Sequence, residues 1–265
     1  MTPVRIVVLV KPVPDTASGG ERLGPDWRLD RAFTPAVVNA NDEYALEAAL
    51  KLKEAHGGDV TILSMAPPSA PETMRKALAM GADGGTHVTD PALAGADALS
   101  TARVLAEAIK ALEFDLLLAG ADSSDGTAGV VPAGIAALLR LPYLSYAAKI
   151  EPDPDGGRVR VRRISPTGYD VLEAPMPALV VCTQALGEPR YPSLKGIMAA
   201  RSKTIETRSL ADLALEQASV GGDVASNRVL TADSPPPRAA TRVVRETPDA
   251  AAREIVTFLA ERRII

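Results

Sequence analysis

Apolar positions in the first 142 residues follow two patterns that alternate along the chain. Continuous runs of Val, Ile and Leu at 4–11, 59–65 and 114–120 are typical of strands covered on both faces. Between them, the segments 41–58 and 98–112 carry Ala and Leu at helical spacing. Strands that alternate with helices in this way predict an α/β domain with a doubly wound, mostly parallel open sheet.

Turn and cap signals extend this reading to other elements. Ser69 and Glu72 form a capping-box pattern ahead of a helix that ends at Gly81. After Pro142 the pattern changes, because the stretch 143–174 holds three β-rich segments that predict an antiparallel extension of the sheet. A further buried strand is predicted over 177–183.

The strand-helix rhythm stops after residue 206. The segments "GGDVASN" (221–227) and "DSPPPRAATR" (233–242) have linker composition, and Thr247 with Pro248 marks the start of a final helix. We therefore predict an α/β domain over 1–206, which includes an exposed loop at 186–203. A linker and a C-terminal helix follow over 207–265, and this helix packs on its own domain or on a partner chain.

Composition and charge exclude several classes of function. The formal net charge of −4 and an aromatic share of 3% argue against nucleic-acid binding. The single cysteine, Cys182, lies in an apolar run and rules out a disulfide framework within the chain. Because no stretch approaches the roughly 20 apolar residues of a membrane span, and the first segment lacks the features of a signal peptide, we expect a cytoplasmic protein without membrane insertion.

Catalytic and metal-binding patterns are absent from the sequence. The two histidines, His56 and His87, form no cluster with metal-ligand spacing, so no metal site is predicted. No nucleophile motif such as G-x-S-x-G occurs, so no catalytic residue is predicted. Asp42, Asp122 and Asp125 have the chemistry for acid-base pairs, but aspartates at helix starts usually act as caps.

Open α/β sheets bind ligands at the carboxyl ends of their strands, and three segments qualify: the end of the first strand (9–15), the turn into the first helix (38–43) and the stretch between the fourth strand and its helix (120–134). The last is the richest, because Gly126 and Gly129 allow close approach of a phosphate to the backbone. Hydroxyl groups and a helix N-terminus accompany these glycines, and both favour an anion. The segment has no P-loop lysine and no G-x-G-x-x-G pattern, so a loop that merely turns the chain is the alternative.

A small basic knob stands out on this acidic protein. Within 186–206, four basic residues occur with no acid between Glu188 and Glu206, namely Arg190, Lys195, Arg201 and Lys203. Leu194 lies among them in a segment that reads as an exposed loop followed by a short helix. A cationic surface with an apolar tip indicates contact with a partner.

Five motifs together resemble one family, in order and at close to the same spacing. They are "KPVPD" (11–15), "NDEYALEAAL" (41–50), "RKALAMGAD" (75–83), "SSDGTAGVVPA" (123–133) and "GEPRYPSLKGIMAARSK" (187–203). In these motifs the chain is similar to the beta subunit of electron-transfer flavoproteins. The resemblance implies a heterodimer with an alpha subunit that carries electrons from flavin-dependent dehydrogenases to a quinone oxidoreductase or similar acceptor. It implies a carrier and not an enzyme.

The resemblance also implies cofactors. The redox-active FAD is held mainly by the alpha subunit, while the Rossmann-like beta subunit binds a structural AMP, or a second FAD in electron-bifurcating relatives. The sequence leaves this choice open. The nucleotide site carries over to Leu9, Asn39, Ala40, Asn41, Asp42, Met65, Gly120, Asp122, Ser123, Asp125, Gly126, Thr127, Ala128, Gly129, Val130 and Val131.

The knob matches the family's recognition loop, whose exposed leucine enters an apolar pocket of the dehydrogenase. Leu194 occupies that position, and the docking candidates around it are Arg190, Tyr191, Lys195, Ile197, Met198, Arg201 and Lys203. The chain departs from the family at Thr16 and Asn41, where some members place aromatic residues near the flavin. Its basic cluster is also thinner than in members with a lysine run after the leucine.

Two readings from other classes remain open at this point. A stand-alone adenine-nucleotide sensor, similar to universal stress proteins, explains residues 1–142 but leaves the knob and the terminal helix without a role. An ATP-using hydrolase or ligase of the same superfold requires a catalytic loop, which the sequence does not show.

Overall fold

A computed structural model describes residues 2–18, 21–233, 236 and 243–265. The chain forms two compact units, Met1–Leu230 and Thr231–Ile265. The second unit contains a helix, Pro248–Glu261, whose N-cap position is Thr247 as the sequence predicts, although the Thr247 side chain makes no cap hydrogen bond. Within the described residues, none of the helices has both the length and the apolarity to cross a membrane.

The first unit is built on a twisted sheet. Its strands are β1 (Val4–Leu9), β2 (Pro12–Pro14), β3 (Ala36–Val38), β4 (Gly58–Met65), β5 (Gly84–Val88), β6 (Leu116–Gly120), β7 (Tyr143–Asp153), β8 (Arg158–Ser165), β9 (Gly168–Pro175), β10 (Ala178–Cys182) and β11 (Ile205–Arg208). In the described part of the chain, nine of them form one sheet in the order β11-β5-β4-β1-β6-β10-β7-β8-β9, and β2 pairs with β3. All pairs from β11 to β7 are parallel, and β8 and β9 extend the sheet antiparallel. The predicted α/β fold with an antiparallel extension is confirmed.

Helices cover both faces of this sheet. They are α1 (Ala40–His56), α2 (Ala70–Met80), α3 (Ala98–Lys110), α4 (Val131–Leu139) and α5 (Leu194–Ala200), and the helix of the second unit is α6 (Pro248–Glu261). In β1, Ile6 and Val8 belong to the core shared with α1 and α2, while Val7 and Leu9 belong to the core shared with α3 and α4. Burial on both faces explains the continuous apolar runs in the sequence.

The strand order reverses at β1. From β1 the chain moves outward to β4 and β5, then returns to place β6 on the other side of β1. In open α/β sheets, a crevice for ligands forms at such a switch point, outside the carboxyl ends of the strands. The ends of β1 and β6 therefore fix where the site lies.

The first unit extends beyond residue 206, where the sequence predicts the domain boundary. β11 pairs with β5, and Leu210 and Val220 are buried. The linker-like segment 221–227 is attached to this unit: the backbone N–H of Gly221 donates to Ser100 Oγ at 3.2 Å. A Cβ on Gly221 would lie 1.9 Å from the Ala92 carbonyl oxygen, so this glycine allows two backbones to approach closely. Of the second predicted linker, residues 234, 235 and 237–242 lie outside the described residues.

The capping-box prediction is wrong. Ser69 has helical dihedral angles, φ −76° and ψ −12°, and its side chain makes no cap hydrogen bond. A capping side chain needs an extended residue at this position to reach the next N–H groups.

Candidate functional site

The candidate site is the region outside the carboxyl ends of β1 and β6, where open α/β sheets form a ligand crevice, and we call it the switch-point cleft. Three segments form it: 9–11 at the end of β1, 39–42 at the start of α1, and 120–131 between β6 and α4. Two helix N-termini, those of α1 and α4, therefore begin at the cleft. The first turn of a helix leaves N–H groups without helical partners, so both ends favour a negatively charged ligand.

Two asparagines join the start of α1 to the loop after β6. Asn39 is buried, with 1% exposure, and its Nδ2 donates to the Asp122 carbonyl oxygen at 2.7 Å. The backbone N–H of Ser124 donates to Asn39 Oδ1 at 3.2 Å, and Asn41 Nδ2 donates to the Asp122 carboxylate. These bonds fix the loop over the end of the sheet.

Asp42 lies at the floor of the cleft. Its Oδ2 accepts the backbone N–H of Lys11 at 2.8 Å. Burial raises the pKa of the Asp42 carboxyl to about 7, although hydrogen bonds from Lys11 and Asn39 act in the opposite direction. A Cβ at Gly120 would lie 2.5 Å from Asp42 Oδ1 and 2.6 Å from the backbone carbon of Asn41, so position 120 requires glycine.

A charged cluster stands at the entrance of the loop. The Asp125 side chain is 1% exposed and accepts Lys11 Nζ at 2.7 Å and Arg31 Nη2 at 2.7 Å. Lys11 Nζ also donates to Ser123 Oγ at 2.9 Å. Burial opposes ionisation of Asp125, but the hydrogen bond and charge of Lys11 outweigh it and hold its pKa at about 2. Two cations therefore face the one Asp125 carboxylate.

The loop after this cluster leads into α4. The backbone N–H groups of Gly126 and Thr127 donate to the Ser123 carbonyl oxygen at 3.2 and 2.7 Å. Gly129 has φ +62°, a conformation that favours glycine. Exposed or partly exposed backbone then continues through Ala128, Gly129, Val130 and Val131 into the first turn of α4.

Most of the sequence-predicted nucleotide residues meet in this cleft, and the others frame it. Leu9, Asn39, Asp42 and Gly120 are buried, while Asn41, Asp122, Ser123 and Asp125 are partly buried and Ala40 is exposed. Met65, at the end of β4, is partly buried on the α3 face of the sheet together with Leu9. Lys11 and Arg31 were not predicted as site residues. Lys11 lies in the motif "KPVPD", but Arg31 lies in a loop without periodicity that gave no signal.

The basic knob (186–203) presents apolar side chains to solvent. Tyr191, Leu194 and Met198 are 97%, 76% and 66% exposed, and Ile197 is 46% exposed. Leu194 begins α5, which Ser193 caps by accepting the N–H of Gly196 at 3.0 Å.

The four basic residues of the knob divide into two pairs. Lys195 and Arg201 are exposed. Arg190 instead turns inward to Glu47 and Glu54 of α1, and Lys203 Nζ donates to the carbonyl oxygens of Leu78 and Ala82 at the end of α2. The sequence predicts all four as docking residues, whereas in the structure Arg190 and Lys203 are bound to groups of the same chain.

Metal binding has no support in the described part of the chain, where no three His, Cys, Asp or Glu side chains are grouped to hold an ion. Cys182 lies deep under the cleft, and burial together with the nearby Asp42 raises the pKa of its thiol. A protonated, buried thiol is inert.

Comparison with known proteins places the chain in a family. The model for the electron transfer flavoprotein domain matches residues 26–213. The electron transfer flavoprotein subunit beta of Mycobacterium leprae is 38% identical over 98% of this chain and 99% of its own length. The protein of the same name from Thermoanaerobacterium thermosaccharolyticum is 34% identical over 99% of this chain and 100% of its own. A third relative, from Acetobacterium woodii, is named Caffeyl-CoA reductase-Etf complex subunit CarD and is 34% identical over 99% of this chain and 100% of its own.

The alignments with these relatives span 98–99% of the chain, and the family model spans residues 26–213, which include the knob and most of the cleft. They bear out the resemblance that the five sequence motifs suggest, and they do not favour a stand-alone nucleotide sensor. The chain belongs to the electron transfer flavoprotein family, among its beta subunits.

Proposed function

We propose that this chain is the beta subunit of a heterodimeric electron carrier that binds AMP in the switch-point cleft and docks dehydrogenases through Leu194. The heterodimer takes electrons from flavin-dependent dehydrogenases and delivers them to a quinone oxidoreductase or similar acceptor. This chain contributes no substrate chemistry of its own. One observation carries the proposal: a cleft suited to an anionic ligand and an exposed apolar knob occur on one domain of an electron transfer flavoprotein.

The cleft supports AMP through its chemistry. Two helix N-termini, the exposed or partly exposed residues 128–131 and the cations Lys11 and Arg31 favour a phosphate. Asn39 and Asn41 hold the loop in place, and the apolar Leu9 and Met65 line the strand ends. AMP bound here has a structural role, because nothing in the cleft suggests chemistry on a phosphoryl group.

The knob supports docking through its exposed apolar surface. Burying one leucine is worth roughly 1.5–3 kcal/mol, which suits a transient redox contact better than a permanent one. Tyr191, Ile197 and Met198 widen the contact, and the exposed Lys195 and Arg201 speed encounter with a partner. The Acetobacterium relative is named as a subunit of a caffeyl-CoA reductase–Etf complex, and we extend assembly with an oxidoreductase to this chain.

The redox-active FAD belongs mainly to the alpha subunit in this proposal. Thr16 is exposed, and the Asn41 side chain is hydrogen-bonded to Asp122 within the cleft. Neither position carries an aromatic ring, so this chain lies beside the flavin without stacking on it there. The terminal helix α6 carries Ile255, Val256 and Leu259, and we propose that this apolar stripe packs on the alpha subunit.

The nucleotide content of the complex tests the cleft. The chain is purified with its alpha subunit, the heterodimer is denatured, and released nucleotides are quantified by chromatography and mass. We expect one FAD and one AMP per heterodimer. Two FAD would replace AMP with a second flavin and give this chain a redox role, as in a bifurcating complex. No adenine nucleotide beyond the alpha-bound FAD would contradict the assignment of residues 120–131.

A further inference from the structure

We infer that Arg190 and Glu47 are positioning residues, whose ion pair holds the basic knob in the orientation that presents Leu194 to a partner. The inference rests on the proposed docking function, and it assigns to Arg190 a different task from direct contact. The contacts that support it lie at the base of the knob and not at its exposed tip.

Arg190 is bound to α1 from several directions. Its Nε donates to Glu47 Oε2 at 2.7 Å and its Nη2 donates to Glu47 Oε1 at 3.1 Å, which is a bidentate pair. The backbone N–H of Arg190 also donates to Glu47 Oε2 at 3.1 Å. The outer edge of the guanidinium donates to Glu54, two turns further along the same face of α1. Side chain and main chain of Arg190 are thus fixed together.

The buried Glu47 carboxylate depends on Arg190 for its hydrogen bonds. It is 4% exposed, although its neighbours in the sequence, Leu46 and Ala48, belong to the apolar core. Burial alone would raise the pKa of the carboxyl, but hydrogen bonds from Arg190 lower it below the ordinary value. Lys51 Nζ also faces Glu47 Oε1, at 3.6 Å, but it does not replace the three hydrogen bonds from Arg190. A buried carboxylate that loses these hydrogen bonds is strongly unfavourable, so the pair disfavours any loop conformation that carries Arg190 away from α1.

The far side of the knob is fixed on α2. A Cβ at Gly196 would lie 2.3 Å from the Ala79 carbonyl oxygen, so α5 rests directly on the α2 backbone. Arg75 Nη1 donates to the carbonyl oxygens of Ala200 and Lys203 at 2.8 and 3.3 Å. Leu194 lies between these contacts with α2 and the contacts of Arg190 with α1. Its side chain is exposed, while the chain on either side of it is fixed.

A fixed base favours docking, because a loop that must become ordered on binding lowers the affinity for the partner. When the loop is already ordered, less conformational entropy is lost as the partner docks. Arg190 itself is poorly suited to contact a partner, because its side chain is 34% exposed and its donors already face Glu47 and Glu54. Its charge instead holds the knob in its orientation on α1.

The experiment uses the complete heterodimer and three variants, Glu47→Gln, Arg190→Lys and Glu54→Gln. Glu54 is the matched control, because it contacts the same guanidinium but is 58% exposed. For Glu47→Gln we expect faster hydrogen exchange across 187–203 and a KM for the heterodimer, measured with a flavin dehydrogenase, that rises about tenfold with kcat within about twofold. Arg190→Lys keeps one charge-assisted bond and should fall between wild type and Glu47→Gln. Glu54→Gln should stay within about twofold.

A double mutant separates positioning from a general loss of stability. If Glu47 acts by presenting Leu194, Glu47→Gln should raise KM much less in a Leu194→Ala background than in the wild type. A purely structural defect would raise it by the same factor in both backgrounds, and that result would overturn the inference. Unchanged exchange across 187–203 in Glu47→Gln would also overturn it.

The two proposals fail in different ways. If Leu194→Ala leaves KM unchanged, the docking function is wrong, whatever Glu47 does to hydrogen exchange. If Leu194→Ala raises KM but Glu47→Gln does not, docking stands and the positioning role is wrong.

Discussion

Folded proteins usually expose polar side chains and bury apolar ones, and the switch-point cleft and the basic knob depart from this rule in opposite ways. In the cleft, the polar groups Asn39, Asp42 and Asp125 are withdrawn from solvent and satisfied by hydrogen bonds or ion pairs. In the knob, Leu194 and Tyr191 are exposed to solvent. Buried polar groups and exposed apolar clusters are the informative exceptions in a folded protein. The cleft is suited to a charged small molecule, and the knob is suited to another protein surface.

The two regions share one support, helix α1. Its first turn carries Asn39 and Asp42, which organise the cleft, and later turns carry Glu47 and Glu54, which hold Arg190. A rigid helix therefore fixes the cleft and the base of the knob in one frame. Substitutions that damage one region and spare the other test whether the two functions are separate.

The largest effect is expected at the floor of the cleft. Gly120→Ala places a Cβ 2.5 Å from Asp42 Oδ1 and 2.6 Å from the backbone of Asn41, which forces α1 away from β6. We expect the heterodimer to lose its bound nucleotide and its free energy of unfolding to fall by about 3 kcal/mol. Nucleotide release and denaturant unfolding measure both. Gly84→Ala is the control, because Gly84 lies on β5 outside the cleft and its Cβ would make only an ordinary contact, 3.5 Å from the Thr204 carbonyl oxygen.

A pH-dependent effect is expected from Asp42. Its folded-state pKa of about 7 lies above the ordinary value of 3.8, so the stabilising contribution is present below about pH 4 and is lost as pH rises through 7. Above pH 7 the new charge also weakens binding of a phosphate in the cleft. Asp42→Asn should flatten the unfolding free energy between about pH 4 and 7, and it should remove the fall in AMP affinity as pH rises through 7. Parallel pH profiles for the two proteins would contradict this prediction.

Asp125 should respond in acid, with the opposite sign. Its pKa of about 2 lies below the ordinary 3.8, so its contribution to stability is present above about pH 4 and is lost as pH falls toward 2. Asp125→Asn should lose this part of the acid dependence. Acid unfolding followed by circular dichroism compares the two proteins. An unchanged acid midpoint would show that the pairs with Lys11 and Arg31 contribute nothing to stability.

The smallest effect is expected at the rim of the knob. Lys195→Ala removes an exposed charge and should slow association with the dehydrogenase by about twofold at low salt, with little change in kcat. Stopped-flow measurements across ionic strength should show the difference vanish at high salt. A difference that persists at high salt would indicate a direct contact instead of steering.

The sequence predicts the fold well where one physical rule decides the outcome. Strands covered on both faces must be apolar along their length, so β1, β4 and β6 are visible as continuous runs. The same topology brings the strand ends together, and this is why three separate segments could be assigned to one cleft.

Long-range pairing is what the sequence does not show. Arg190 and Glu47 are 143 positions apart, and a charge pattern reveals neither the partner nor the direction in which a guanidinium turns. Arg31 reaches Asp125 from a loop without periodicity. The strand β11 has four residues, too few to show a period, and its pairing with β5 depends on the folded sheet.

The most direct test of the account is the catalytic efficiency with which a flavin dehydrogenase reduces the Leu194→Ala heterodimer. Leu99→Ala is the matched control, because Leu99 is 56% exposed on α3, outside the knob. We expect kcat/KM to fall roughly 10- to 100-fold for Leu194→Ala, while the AMP and FAD content of this variant stays at the wild-type level. The kcat/KM of Leu99→Ala should equal that of the wild type. Equal kcat/KM for Leu194→Ala and wild type, with every candidate dehydrogenase, would contradict the proposed docking through Leu194.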